Sequence, residues 1–212
     1  LYAIKKNYTQ ARTEYQKAVG ANLNASAKAE SNIAKTYEIE GNWNRAQALY
    51  RNVTAKYPTT DAGFILPIYL TKHVYTPEQK SLTEAAYTEA LTFYKKMAAQ
   101  NPKTKIEYTS LRMISLCQLH QRQWLDSVMT MSDLILKYPT SKALQEAVNT
   151  INIICITKLH NYNLAMNLYQ QFITKYPEHP AVPSLKKIIA KLQLLKDKNI
   201  QVNTSPINAS GK

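Results

Sequence analysis

The sequence predicts an all-α protein, a solenoid made of stacked helix-turn-helix repeats. Three observations predict this fold class: a stretch that recurs along the chain, a helical spacing of apolar residues inside it, and a proline that closes each copy. Residues 41–58, GNWNRAQALYRNVTAKYP, form the first clear copy, and the closing prolines are Pro58, Pro102, Pro139 and Pro177. Successive prolines are 44, 37 and 38 residues apart (58 to 102, 102 to 139, 139 to 177). Periods of this length are typical of solenoids.

Inside each copy, side chains of the same size return at fixed distances before the proline. An aromatic residue stands fifteen positions before it, a small residue twelve before it, and large apolar residues eight and five before it. These spacings place the residues on one face of a helix. A small residue lets a second helix approach closely, and proline ends the helix because it lacks an N–H group. In chain order the positions are Trp43, Ala46, Tyr50 and Val53; Tyr87, Ala90, Tyr94 and Met97; Trp124, Ser127, Met131 and Leu134; Tyr162, Ala165, Tyr169 and Phe172.

This order of residues resembles the tetratricopeptide repeat, and the resemblance covers nearly the whole chain. The repeats are longer than the family's usual length of about 34 residues. The resemblance implies a right-handed α-solenoid whose first helices line a concave groove for a partner protein. The Tyr-Pro endings are also similar to those of bacterial cell-envelope members, such as Bam-type outer-membrane assembly lipoproteins and periplasmic TolA-partner proteins. That similarity implies a periplasmic or outer-membrane-associated protein, with a cytoplasmic location as the alternative.

The repeat register divides the chain into seven segments. A partial repeat, 1–24, opens it, and its first seven residues match the tail of a preceding first helix. We therefore expect a fragment of a longer chain, with any signal peptide or lipid-attachment cysteine upstream. Repeats follow at 25–60, 61–104, 105–140 and 141–178. An amphipathic capping helix at 179–198 and a polar tail at 199–212, which we predict to be disordered, complete the chain.

The sequence of each full repeat predicts a pair of helices. The second full repeat is irregular. Pro67 lies inside its first helix, where proline costs about 3 kcal/mol, and we expect a kink there. Its second helix is predicted to begin at Pro77 behind a Thr76 cap and to absorb the extra residues of this repeat. The predicted pairs are 25–40 with 43–56, 61–75 with 77–100, 105–120 with 124–137, and 141–160 with 162–175, followed by a helix at 184–198.

The composition favours binding over catalysis. The 27 Lys and Arg residues exceed the 14 Asp and Glu residues and give a formal net charge of +13. A charge of this size favours acidic partners: an acidic protein surface, a nucleic acid, or a negatively charged membrane or wall. With 4 glycines the chain has no Gly-rich phosphate loop, and no nucleophile–base or paired-carboxylate motif is present. We predict no enzyme activity and no cofactor, and no stretch is apolar enough to span a membrane.

The two cysteines are predicted to be free, buried thiols. Cys117 and Cys155 occupy equivalent positions in two repeats. Adjacent packed helices are about 8–10 Å apart, which exceeds the limit of about 7 Å between the Cα atoms of a disulfide. Cys117 and His120 could share one helix face as metal ligands, but no second pair has ligand spacing. A core thiol and a helix-end histidine explain them better, so we predict no metal site.

The first helices carry the residues that we predict to bind a partner. Basic side chains there could hold the carboxylates of an extended acidic peptide or of a chain terminus. We therefore predict a non-catalytic protein-binding scaffold or assembly subunit that binds its partner through the concave groove or an edge of the solenoid. The alternative is an RNA-binding basic α-solenoid, which the net charge favours, although the period and fixed base-reading positions of helical-repeat RNA readers are missing. The predicted partner-binding residues are Lys28, Lys35, Lys72, Arg112 and Lys158.

Overall fold

The computed structural model describes residues 7–73, 80–139 and 142–204, and all regular secondary structure in these residues is α-helical. The chain forms two compact units, unit 1 (Leu1–Gln121) and unit 2 (Arg122–Lys212). Unit 1 contains α1 (Tyr8–Lys17), α2 (Leu23–Ile39), α3 (Trp43–Lys56), α4 (Asp61–Lys72), α5 (Lys80–Gln100) and α6 (Lys105–His120); unit 2 contains α7 (Trp124–Lys137), α8 (Ala143–Thr157), α9 (Tyr162–Lys175) and α10 (Val182–Thr204).

Polar side chains begin the helices, and prolines follow their ends. Asn22, Asn42 and Asn161 each accept a hydrogen bond from the backbone N–H three residues later. Thr60 and Thr104 cap α4 and α6 in the same way. These bonds satisfy N–H groups that have no partner within the first helical turn. The four second helices each end two residues before one of the predicted prolines, Pro58, Pro102, Pro139 or Pro177.

The predicted packing pattern is confirmed. The residues twelve, eight and five positions before each proline are no more than 3% exposed. The tyrosines at the middle position also bind the first helix of their own repeat. The Oη atom of Tyr94 donates to the Phe64 carbonyl at 3.0 Å, and that of Tyr169 donates to the Val148 carbonyl at 3.1 Å. Tyr50 donates to the Glu38 carboxylate at 2.6 Å. One side chain thus contributes both apolar burial and a bond between the paired helices.

In unit 1, α4 contributes to two core clusters of buried side chains. The helix packs against α2, α3 and α5, while α2 also packs against α1 and α3, and α5 against α6. Leu66 and Leu70 on one side of α4 join the cluster around Tyr50 of α3. Phe64 and Ile68 join the cluster around the α5 residues and Cys117 of α6. An apolar helix buried on opposite sides is expected to link two repeats.

Two residues set the close packing of α3 against α4. A Cβ atom built on Gly63 would lie 2.1 Å from the Tyr57 carbonyl oxygen, so only glycine fits at this crossing. Pro67 lies within α4, which stays helical from Asp61 to Lys72. Because proline has no N–H, the Gly63 carbonyl lacks its usual helical donor. The Thr54 hydroxyl of α3 donates to this carbonyl instead, at 3.4 Å.

In unit 2, the second helices pack directly against each other. α7 packs against α8 and α9, α9 also packs against α8, and α10 packs against α9. Large apolar side chains fill the core where these helices meet: Leu134, Ile151 and Phe172 have no exposed surface, and Leu185 brings α10 onto this core with 2% exposed. The predicted capping helix is therefore amphipathic, with its buried side turned to α9.

Helix α10 differs from the prediction at its C-terminal end. It runs to Thr204, whereas the sequence predicts a helix ending at Lys198 and disorder from Asn199 onward. Nothing in 199–204 stops the helix, since the next proline is Pro206 and each further residue adds a hydrogen bond to an existing helix. The rest of the predicted tail, 205–212, lies outside the described residues.

Other predicted boundaries differ by a few residues or lie outside the described residues; α4, for example, ends at Lys72, and His73 lies in a turn, although the predicted helix runs to 75. The predicted start of α5 at Pro77 falls in 74–79, outside the described residues. Residues 1–6 of the predicted N-terminal helix tail also lie outside them, and its last residue, Asn7, is the N-cap of α1. α8 ends at Thr157, three residues earlier than predicted, and His160 in the following turn has a φ of 48°. The predicted partners α6 and α7 fall in different units, and the repeat boundaries stay a prediction.

Candidate functional site

Three of the five predicted binding residues lie on two neighbouring helices of unit 1. We call Lys28, Lys35 and Lys72 the lysine face. Lys28 and Lys35 lie on one face of α2 and are seven residues, or about 10 Å, apart along the helix axis. Lys72 is the last residue of α4. All three side chains are exposed. None forms an ion pair or hydrogen bond with another residue in the described part of the chain.

The lysine face belongs to two helices that pack against each other. α3 packs against both α2 and α4, and α2 also packs against α4. Because α3 returns between them, α2 and α4 run in the same direction, with their C-terminal ends adjacent. Lys35 and Ile39 lie about one turn apart on the exposed side of α2, and Ile65 and Lys72 lie about two turns apart on that of α4. The surface therefore combines unpaired positive charge with exposed apolar side chains, at 52% for Ile39 and 47% for Ile65.

The other two predicted binding residues are already engaged with aromatic rings. The Arg112 guanidinium of α6, in unit 1, lies 6.0 Å from the centre of the Tyr108 ring. Lys158 follows the last residue of α8, in unit 2, and its Nζ atom lies 5.6 Å from the centre of the Trp124 ring. Cation–π contacts at these distances hold a side chain in place without neutralising it. Neither residue belongs to the lysine face.

A polar cluster that the sequence analysis missed fixes the ends of α2 and α4. Glu38 accepts hydrogen bonds from the hydroxyls of Tyr50 at 2.6 Å and Tyr69 at 2.7 Å. His73 places Nε2 at 3.3 Å from the same carboxylate and stacks on Trp43, with ring centres 4.0 Å apart. Only Trp43 and Tyr50 belong to the repeat pattern, so no periodic signal identified Glu38 or His73.

The hydroxyls in this cluster remain hydrogen-bond donors at any ordinary pH. Burial, followed by the bond to Glu38, raises the pKa of Tyr69 to about 12. The same two causes raise the pKa of Tyr50 further. The cluster has no nucleophile, and its carboxylate is occupied by groups from α3 and α4. Its effect is structural: it ties the C-terminal end of α2 to that of α4 and so sets the positions of Lys35 and Lys72.

The cysteines and histidines form no reactive centre in the described residues. Cys117 and Cys155 are free and have no exposed surface. Burial raises the pKa of Cys117 to about 12 and that of Cys155 to about 11, which keeps both thiols protonated and unreactive. His120 stacks on Tyr87 with ring centres 4.4 Å apart. Across 7–73, 80–139 and 142–204, no three His, Cys, Asp or Glu side chains come together as a metal site.

Comparison with known proteins supports helical repeats in two parts of the chain. The family model described as "Tetratricopeptide repeat" matches residues 29–60 and 156–179. The first segment contains all of α3 with most of α2, and the second contains all of α9. Together with the described helices, these matches confirm the predicted fold class as an all-α arrangement of helical repeats. They also support the predicted tetratricopeptide character of these two segments.

Comparisons with whole proteins and with solved structures identify no relative from which a function can be transferred. No curated protein matches the sequence. A solved structure titled "TPR2AB-domain:pHSP90-complex of yeast Sti1" covers 91% of this chain and 81% of its own, at 15% identity and a TM-score of 0.34. A TM-score this low supports no conclusion about arrangement or partner. Among the helices that the structure describes, none is both long and apolar enough to cross a membrane.

Proposed function

We propose that this chain is a non-catalytic protein-binding scaffold and that unit 1 holds an extended acidic segment of its partner against the lysine face. The observation that supports it is the placement of three unpaired lysines on the open sides of two adjacent first helices. The tetratricopeptide-repeat match at 29–60 includes Lys35 and the C-terminal part of α2, and it begins one residue after Lys28. Because the Glu38 cluster and α3 hold both helices in place, the lysines are positioned before a partner arrives, which lowers the entropy cost of binding.

The spacing of the lysine face suits an extended peptide. Lys28 and Lys35 are about 10 Å apart along α2. An extended polyproline II chain advances about 9 Å in three residues and brings the side chain back to the same face. Carboxylates at every third position could therefore meet successive lysines. Apolar residues between them would lie against Ile39 and Ile65, the exposed side chains of the same two strips. Asp61 at the other end of α4 is exposed too, which favours a neutral or basic residue at that end of the peptide.

The compartment and the RNA alternative are two further proposals, and the binding test addresses the second. The similarity of the repeats to cell-envelope tetratricopeptide proteins makes acidic segments of envelope proteins the first candidates for a natural partner. RNA binding rests on the net charge of +13. It would show a steep decrease in affinity with salt, because phosphate neutralisation releases counterions.

The first test is charge reversal on the lysine face. The triple variant Lys28→Glu, Lys35→Glu, Lys72→Glu is expected to bind a fluorescent extended peptide, with Glu at every third position, about 10- to 150-fold more weakly than the wild type. This estimate assigns about 0.5–1 kcal/mol to each exposed ion pair, with reversal adding repulsion. Fluorescence anisotropy at physiological ionic strength measures the affinity.

A matched triple variant separates a specific site from general charge. Lys95→Glu, Lys186→Glu, Lys187→Glu makes the same change in net charge at exposed residues outside the lysine face, and it should leave peptide binding within about twofold, since distant surface charges are screened. An equal loss of peptide affinity in both variants would show that the peptide binds by nonspecific charge attraction and not at the lysine face. Tight binding of a single-stranded RNA, weakened equally by both, would favour the RNA alternative.

A further inference from the structure

We propose that unit 1 has a second docking surface, a cleft between α3 and α5 that receives an amphipathic helix of a partner protein. The expected helix has a narrow apolar face and a carboxylate at one edge. The cleft has a volume of about 570 Å³ and lies beside the second helices, not on the lysine face. The proposal does not depend on the acidic-peptide site, because it concerns different helices and a different kind of ligand.

The cleft exists because α3 and α5 are held apart by α4. Each packs against α4, and the two have less direct contact with each other than the corresponding helices α7 and α9 have in unit 2. Pro67 and Leu70 of α4 form the floor between them. The Thr54 hydroxyl, which replaces the missing donor to the Gly63 carbonyl, lies at the base of the α3 wall. The opening is thus fixed by packing and hydrogen bonding within unit 1.

The shape of the cleft suits a helix. Its α5 wall runs from Ala85 to Gln100, about 22 Å at the helical rise. Small residues line the approach on both walls, including Ala55 of α3 and Ala85 of α5, while Phe93 and Met97 offer apolar surface deeper in. Small side chains of this kind let a helix approach to the usual interaxial distance of about 8–10 Å.

The charges in the cleft select an acidic edge on the incoming helix. Arg51 and Glu89 face each other across it in a two-pronged ion pair, with distances of 3.2 Å from Nε to Oε1 and 3.0 Å from Nη2 to Oε2. Their charges therefore offset each other. Lys96 directly precedes Met97 on the α5 wall. Its side chain is exposed and has no ion partner in the described part of the chain. A carboxylate on the bound helix would pair with this lysine.

The test uses a designed helical peptide and two pairs of matched variants. The probe is a stapled peptide of about 18 residues, roughly 27 Å of helix, with leucines on one face and glutamates along one edge; a scrambled peptide of the same composition is its control. Ala85→Trp fills the cleft and should weaken binding at least about tenfold, while Ala99→Trp, an exposed position on the same helix outside the cleft, should not. Circular dichroism checks that both variants fold.

The second pair tests the charge. Lys96→Glu should weaken binding of the glutamate peptide about three- to tenfold and strengthen binding of a lysine-edged version, whereas Lys95→Glu should change neither. Hydrogen exchange on binding should protect α3 and α5. The proposal is overturned if the wild type binds the designed and scrambled peptides equally or not at all, if all four variants bind like the wild type, or if protection falls on α2 and α4. Loss of acidic-peptide binding at the lysine face would leave these results unchanged.

Discussion

Gly63→Ala is expected to destabilise unit 1 by about 3 kcal/mol or more, although it adds one methyl group to a helix. The added Cβ would lie 2.1 Å from the Tyr57 carbonyl oxygen, 2.9 Å from the carbonyl carbon and 3.2 Å from the Val53 oxygen. All three are backbone atoms, so no side-chain rotation relieves the overlap. α3 and α4 must move apart, which also weakens the Thr54 bond to the Gly63 carbonyl.

The sign of the change makes this prediction decisive. Gly→Ala inside a helix ordinarily stabilises by about 0.5–1 kcal/mol. Urea unfolding followed by the fluorescence of Trp43, in a Trp124→Phe background, measures the free energy of unfolding of unit 1. Gly41→Ala is the matched control: Gly41 has a φ of 84° and open space around it, so it should cost only about 1 kcal/mol. A stabilised Gly63→Ala protein would contradict the close crossing of α3 and α4.

Tyr169→Ala is expected to destabilise unit 2 by about 4 kcal/mol. Tyr169 has no exposed surface, and its hydroxyl donates to the Val148 carbonyl at 3.1 Å and to Asn152 Oδ1 at 2.8 Å. Truncation leaves a cavity between α8 and α9 and removes both bonds. Unfolding followed by Trp124 fluorescence in a Trp43→Phe background measures the effect.

Two substitutions separate the parts of this effect. Tyr169→Phe keeps the ring and removes the hydroxyl, and should cost about 1–2 kcal/mol. Leu125→Ala, at a position 52% exposed on α7, should change stability by less than about 0.5 kcal/mol. If Tyr169→Phe were as harmful as Tyr169→Ala, the hydrogen bonds rather than the packing would dominate this repeat.

The sequence predicts the second helices well because their signal is repeated. A small residue, a large aromatic and a further apolar residue return at helical spacing before each proline, and burial follows directly from that periodicity. Tyr50, Tyr94 and Tyr169 are therefore found buried where they are expected. Their hydroxyl partners are not predictable in the same way, since Glu38, Phe64 and Val148 come from first helices that differ between repeats.

Features that occur once could not be predicted from the sequence. The need for Gly63 depends on how closely α4 crosses the end of α3, which is a tertiary distance rather than a local preference. The Glu38 cluster depends on two helices ending side by side. The cleft depends on the separation of α3 and α5 by α4, and Lys96 acquires a role only there. Of the five predicted binding residues, Lys28, Lys35 and Lys72 form neither an ion pair nor a ring contact in the described part of the chain, whereas Arg112 and Lys158 lie over aromatic rings.

The most direct measurement of the proposed function is an NMR titration of the isotopically labelled chain with the extended acidic peptide. The account predicts saturable amide shift changes along the exposed strips of α2 and α4, near Lys28, Lys35, Ile65 and Lys72, that disappear in the lysine-face triple variant. Shift changes confined to α3 and α5 or to unit 2, or no changes at peptide concentrations that saturate the fluorescence assay, would contradict it.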